Sequence, residues 1–114
     1  MLKVRSMQLI NLKDEKEHEP LPGYKVRFVH SDHMTFAFWD IKKGYAVPNH
    51  SHPQEQVVKV LEGKLELSLE GEKHILEAGR VLIIPGGVEH SAFSITDCKA
   101  IDTFHPVRED YKNL

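Results

Sequence analysis

Short runs in which apolar and polar residues alternate dominate the chain. The clearest is Lys64-Leu65-Glu66-Leu67-Ser68-Leu69-Glu70, where three leucines share one parity and polar residues the other. Period-two alternation places those leucines on one face of a half-buried strand. Gly71 follows among polar residues and the pattern resumes at Lys73 to Leu76, which predicts a hairpin. Ala78-Gly79-Arg80 predicts another turn, leading into the apolar run Val81 to Ile84. Pro85-Gly86-Gly87 ends that run, since proline cannot donate to a ladder and glycine admits positive φ. Further strands are predicted at Tyr24 to His30, Thr35 to Ile41, Gln56 to Leu61, Ser91 to Ile95 and Cys98 to Phe104. Helical signals are few. Asp14 to Glu19 is a candidate helical turn, but Pro20 and Pro22 argue for a loop there, and the tail after Pro106 is the place for one short helix. Many short strands with turn signals between them predict an all-β sandwich or small barrel rather than a βαβ fold.

Composition narrows the picture. The chain has 114 residues and shows no linker, repeat or low-complexity segment, so a single domain over 1–114 is expected. Fifteen basic against seventeen acidic side chains leave a formal charge of -2, which gives no support to a nucleic-acid or membrane-surface partner. No apolar run approaches the roughly 18 residues of a membrane span. Met1 to Asn11 is charged and interrupted, so no signal peptide is expected. Cys98 is the sole cysteine and reads as a small core residue; nothing requires an oxidising compartment, and the cytoplasm is the expected location. The unusual number is eight histidines. Histidine is the commonest metal ligand and the natural proton carrier near neutral pH.

His50 and His52 lie at i and i+2, a spacing that on a strand turns both rings to one face. Gln56 follows at the entry to the next strand, and His90 opens another after the Pro85-Gly86-Gly87 turn. These four side chains are candidates to close around one ion, although two histidines in this spacing can equally be surface residues. His18, His30, His33 and His74 sit in polar or turn-like contexts and read as surface residues. His105 is a candidate for a pocket mouth.

The glycine framing changes the balance. The first segment reads Gly44, five residues, His50-Ser51-His52, three residues, Gln56, six residues, Gly63. The second reads Gly79, five residues, Pro85-Gly86-Gly87, two residues, His90. In both spacing and order these segments, 44–63 and 79–94, resemble the two motifs of the cupin superfamily. The resemblance implies a double-stranded β-helix, or jelly roll, and a metal held by His50, His52, Gln56 and His90. Two positions depart from the usual pattern: Gln56 stands where a glutamate is common, and Ser94 where an asparagine is common. Glu55 is the competing ligand, but only Gln56 leaves six residues before Gly63, and a one-residue shift turns a strand side chain to the opposite face. Three neutral imidazoles and a carboxamide would leave one divalent ion its full double charge, favouring an anionic ligand. Zinc, nickel, iron, manganese and copper all suit nitrogen and oxygen donors.

The stretch Asp102 to Tyr111 is the second informative segment. Asp102 and Phe104 share a parity with Cys98 and Ala100, whose small apolar side chains mark an inner face. An inward carboxylate is usually paired or functional. Arg108 is placed to fold back over the barrel mouth and offer a bidentate fork to a carboxylate; the alternative is an Asp102–Arg108 salt bridge pinning the tail. The ending Asp-x-Phe-x-Pro-x-Arg-x-Asp-Tyr, together with His50 to Gln56 and Leu61-Glu62-Gly63, resembles a subgroup of small cupins linked to pectin and alginate degradation. That resemblance implies an enzyme converting an unsaturated uronate, a small anionic sugar-like substrate, to a linear keto-uronate, with Asp102, Phe104 and Arg108 in substrate handling and catalysis. It also implies a homodimer, for which Leu2-Lys3-Val4-Arg5 is a candidate pairing edge. A cupin dioxygenase on an enolic or phenolic substrate and a non-catalytic metabolite-binding module are the competing readings.

Overall fold

A computed structural model describes residues 7–114, so the candidate edge at Leu2 to Arg5 lies outside the described residues. Among the described residues, ten strands follow a single 3-10 turn at Leu12–Asp14. They are β1 (His18–Leu21), β2 (Tyr24–His30), β3 (Thr35–Ile41), β4 (Ala46–His50) and β5 (Glu55–Glu62), then β6 (Leu65–Leu69), β7 (Glu72–Leu76), β8 (Val81–Ile84), β9 (His90–Ser94) and β10 (Cys98–His105). One helical turn, α1 (Glu109–Lys112), closes the chain. Among the described residues no helix is long and apolar enough to cross a membrane.

The strands form two antiparallel sheets, ordered β1-β2-β3-β10-β5-β8 and β4-β9-β6-β7. Sequence alternation sets which side chains meet between them. Leu65 and Leu67 of β6, Val58 and Val60 of β5, and Cys98 and Ala100 of β10 are all buried in one cluster. Lys59, between the two valines, points to solvent. The predicted strands are all present, and so are the hairpin of β6 and β7 and the short helix in the tail. Gly63 joins β5 to β6 with a φ of 84°, and a Cβ there would strike the Asp97 carbonyl.

The amino-terminal segment departs from expectation. The 3-10 turn sits earlier than Asp14 to Glu19, and the proline-bearing stretch expected to be a loop is strand β1. β1 is an edge strand paired only with β2, in an irregular register, so the missing N–H of Pro20 leaves the rest of the ladder intact.

Candidate metal centre and the cavity beside it

The two motifs are pressed together by backbone contacts. The Gly87 N–H donates to the His52 carbonyl at 2.8 Å, and Gly86 lies so close to the Pro53 carbonyl that any Cβ would collide with it. This contact carries the His50–His52 segment onto the turn preceding His90. Ser94 performs a similar service at the other end of β9. Its buried hydroxyl donates to the Lys42 carbonyl at 2.6 Å and accepts from the Tyr45 N–H at 3.0 Å, tying β9 to the turn that contains Gly44.

His50 ends β4, His52 lies just beyond it, and His90 opens β9. The expectation of two histidines on one strand is therefore met only by His50, because the chain leaves the sheet at Ser51. Their rings nevertheless converge. One nitrogen from each of the three lies within 4.8 Å of the others. Each Nδ1 sits against a main-chain carbonyl: His50 on Pro48 at 2.8 Å, His52 on Gln54 at 3.0 Å, His90 on Val88 at 2.9 Å. A carbonyl can only accept, so each Nδ1 carries the proton and each Nε2 keeps its lone pair.

Those lone pairs test the fit to a metal ion. His90 Nε2 is buried and has no hydrogen-bond partner among the described residues. His52 Nε2 faces Gln56 Oε1 at 3.0 Å, which sets acceptor against acceptor in that tautomer. Buried acceptors converging without a donor are costly until a cation lies among them. The donor set fits a divalent ion. Burial is the main reason that the pKa values of His52 and His90 fall below the ordinary histidine value; nearby Arg108 also contributes in both cases. Both effects favour the neutral, ligating form. Gln56 is buried and lines the cavity, whereas Glu55 is exposed.

A cavity of about 340 Å³ opens beside these rings. Asp102, Phe104 and Arg108 all line it, so the residues singled out from the carboxy-terminal segment meet His50, Gln56 and His90 in one space. Asp102 Oδ2 accepts the indole N–H of Trp39 at 3.0 Å, and the Gln56 amide also bonds to the carboxylate. Burial pushes its pKa up to about 6, against the lowering effects of Gln56, Trp39 and the Arg108 charge. Phe104 is fully buried and packs edge-on against His52, with 5.5 Å between centroids.

The tail corrects one alternative. Among the described residues no salt bridge joins Asp102 to Arg108; the guanidinium instead gives its Nε and Nη2 edge to Asp110, at 2.9 and 2.7 Å. It lies over the face of Tyr111, 3.9 Å from the centroid, and over that of Phe104, 4.8 Å away. The Arg108 backbone N–H donates to Thr35 Oγ1, which also shares a hydrogen bond with His30 Nδ1 at 2.8 Å. His30 is thus half-buried rather than a plain surface residue, as is His18 against Phe28. His105 is exposed and does not line the cavity. Cys98 is buried, and burial raises its thiol pKa, in keeping with a core role.

Three contributors escaped the reading of the sequence. Trp39 shares the parity of Ala37 and Ile41 on β3, and a buried indole N–H needs an acceptor; that signal was available. Asp110 and Tyr111 lie in the Asp102 to Tyr111 segment, but their grip on Arg108 depends on how the tail folds back.

A Cupin domain family model matches residues 37–104, more than half of the chain, and the chain belongs to the cupin family. It is 31% identical over 104 residues to the pectin degradation protein KdgF of Dickeya dadantii (strain 3937), covering 88% of this chain and 94% of that protein. The solved structure of KdgF from a Halomonas species superposes with a TM-score of 0.84 at 25% identity, covering 91% of this chain and 99% of that one. The chain spans much less of two further relatives. It covers 15% of quercetin 2,3-dioxygenase from Bacillus subtilis (strain 168), at 46% identity over 50 residues, and 43% of polyketide synthase CurC from Streptomyces cyaneus, at 36% over 66.

Proposed function

We propose that the chain is a metal-dependent enzyme that opens the ring of an unsaturated uronate to give a linear keto-uronate. The observation that carries this reading is the position of Asp102. It is held by Trp39 and Gln56, on the wall of the cavity that His50, His90 and Arg108 also line. Likeness to KdgF over nearly the whole length of both chains supports the substrate class. His50, His52, Gln56 and His90 would hold the ion. Such an ion, when bound, supplies Lewis acidity toward a carboxylate and its neighbouring oxygen.

The reaction is an isomerisation in which no atom is gained or lost. The hemiacetal hydroxyl loses its proton, the bond from C1 to the ring oxygen breaks, and an aldehyde forms at C1. The electron pair released to the ring oxygen leaves an enolate, and delivery of the same proton to C4 converts the enolate to a ketone. Asp102 is the residue for these proton movements, as base toward the hydroxyl and as acid toward C4. Arg108 keeps its Nη1 side out of the Asp110 clamp and serves the substrate carboxylate. Phe104 and Tyr111 fix the guanidinium plane and shield it from water. The test is metal analysis followed by absorbance of unsaturated galacturonate and guluronate. Loss of the conjugated double bond without oxygen uptake is the expected result. Oxygen consumption would replace this reading with a dioxygenase, and tight binding without turnover would replace it with a binding module.

A further inference from the structure

The strand register divides the cavity into two unlike ends. His90 pairs with Leu69 and His50, and two residues further along β9 the inward position is Ala92, opposite Leu67. On β10 the step from Asp102 leads inward to Ala100, which faces Val60 of β5 and Trp39 of β3. Two strand residues span about 6.6 Å. At and beyond that step the cavity is lined by Ile41, Leu65, Leu67, Ala92 and Ala100, none of which has a polar side-chain atom, and by Trp39, whose indole N–H is committed to Asp102. Tyr24 also lines this end, but its hydroxyl is committed to the Tyr45 carbonyl at 3.0 Å, so the ring is what it offers. The backbone groups of Ala92 and Ala100 lie within paired strands. Two alanines on the cavity wall, one from each sheet, leave open space where larger side chains would have filled the core.

A hydroxyl-rich molecule finds partners only at the histidine end. A hydroxyl pushed against the other wall would give up water and gain nothing. An alkyl or aryl group there would instead bury apolar surface against apolar surface. We infer that this wall is an apolar subsite, and that the cavity also takes carboxylic acids carrying an alkyl or aryl group at the end opposite the carboxylate. The carboxylate anchor rests on the proposed role of Arg108 and the metal-binding set; the apolar subsite does not depend on ring opening.

The probes are straight-chain carboxylates from acetate to octanoate, titrated into the full chain with and without zinc. Trp39, the single tryptophan, lines the cavity and reports binding by its fluorescence. Affinity is expected to rise about fourfold per methylene until the wall is covered. Hexanoate should bind at least tenfold tighter than gluconate, a six-carbon acid covered with hydroxyls. Ala92→Leu should cut the rise off at a shorter chain while acetate binding and zinc content stay unchanged. Flat affinity along the series, or gluconate ahead of hexanoate, overturns the subsite, and both are read on the wild-type chain. If unsaturated uronates are not turned over but the chain-length slope is present, the ring-opening reading falls and this one stands. If they are turned over but the slope is flat, the reverse holds.

Discussion

The histidine end and the carboxylate end of the site are held by different parts of the chain. At the histidine end, each imidazole is oriented by a main-chain carbonyl within two residues, and the loops that carry them are locked by Gly86 and Gly87. At the other end, Asp102 and Arg108 are oriented by side chains from elsewhere: Trp39 and Gln56 for the first, Asp110, Tyr111 and Phe104 for the second. Main-chain control is insensitive to substitution of neighbouring side chains. Side-chain control can be removed one group at a time. Apart from Gln56, which touches both His52 and Asp102, the two ends should therefore fail separately.

The largest effect is expected on removing a donor. His52→Ala or chelation should strip most of the bound metal and take turnover with it, by roughly a thousandfold or more, because removing even the supporting partners of a ligand costs about 10- to 100-fold. Elemental analysis beside the absorbance assay measures both. Asp102→Asn comes next. Turnover should fall by about 10²- to 10⁴-fold, the usual share of a general acid–base group, with metal content unaltered. Trp39→Phe keeps an aromatic body but leaves a carboxylate oxygen without its donor, and kcat should drop about tenfold with KM nearly constant.

Asp110→Asn should mainly raise KM, since it loosens the fork that aims Arg108. The same pair gives a pH dependence of stability. Its hydrogen bonds with Arg108 hold the Asp110 carboxyl below the ordinary carboxylate range. A folded-state pKa below the unfolded one means the clamp contributes fully above that range, and the contribution is lost as pH falls through the lowered value. Asp110 is 61% exposed, so the gain stays under about 1 kcal/mol. Melting curves of wild type and Asp110→Asn should differ slightly at pH 7 and converge in acid. The smallest effect concerns Cys98. Its buried thiol, with a raised pKa, should resist alkylation at pH 8 in the native protein and react after denaturation.

The same contrast explains what could be read in advance. The histidine end was legible because its geometry is local: glycine spacings and a proline turn decide it, even though His52 lies beyond the strand on which parity would have placed it. Alternation and one apolar run likewise marked eight of the ten strands among the described residues, all but β1 and β4, and parity turned Asp102 inward. β1 was missed because its prolines argue against a strand, and only its edge position in the assembled sheet relieves that objection. The Arg108 partner was not legible for a related reason. Asp102 and Asp110 are both within reach in sequence, and the choice between them is made by Thr35 drawing the Arg108 backbone toward β3 while Tyr111 stacks on Phe28 at 4.6 Å. Trp39 needed the register Ala100↔Trp39 and Asp102↔Ala37 to come beside its carboxylate.

The central claim is that metal holding and proton transfer belong to separate residues that share one cavity. Side-by-side analysis of Asp102→Asn and His90→Ala, with bound metal and loss of the unsaturated-uronate absorbance recorded on the same samples, tests it most directly. The account predicts a metal-loaded but inactive Asp102→Asn and a metal-depleted, inactive His90→Ala. An Asp102→Asn protein that turns over at wild-type rates, or one that loses its metal as His90→Ala does, would contradict it.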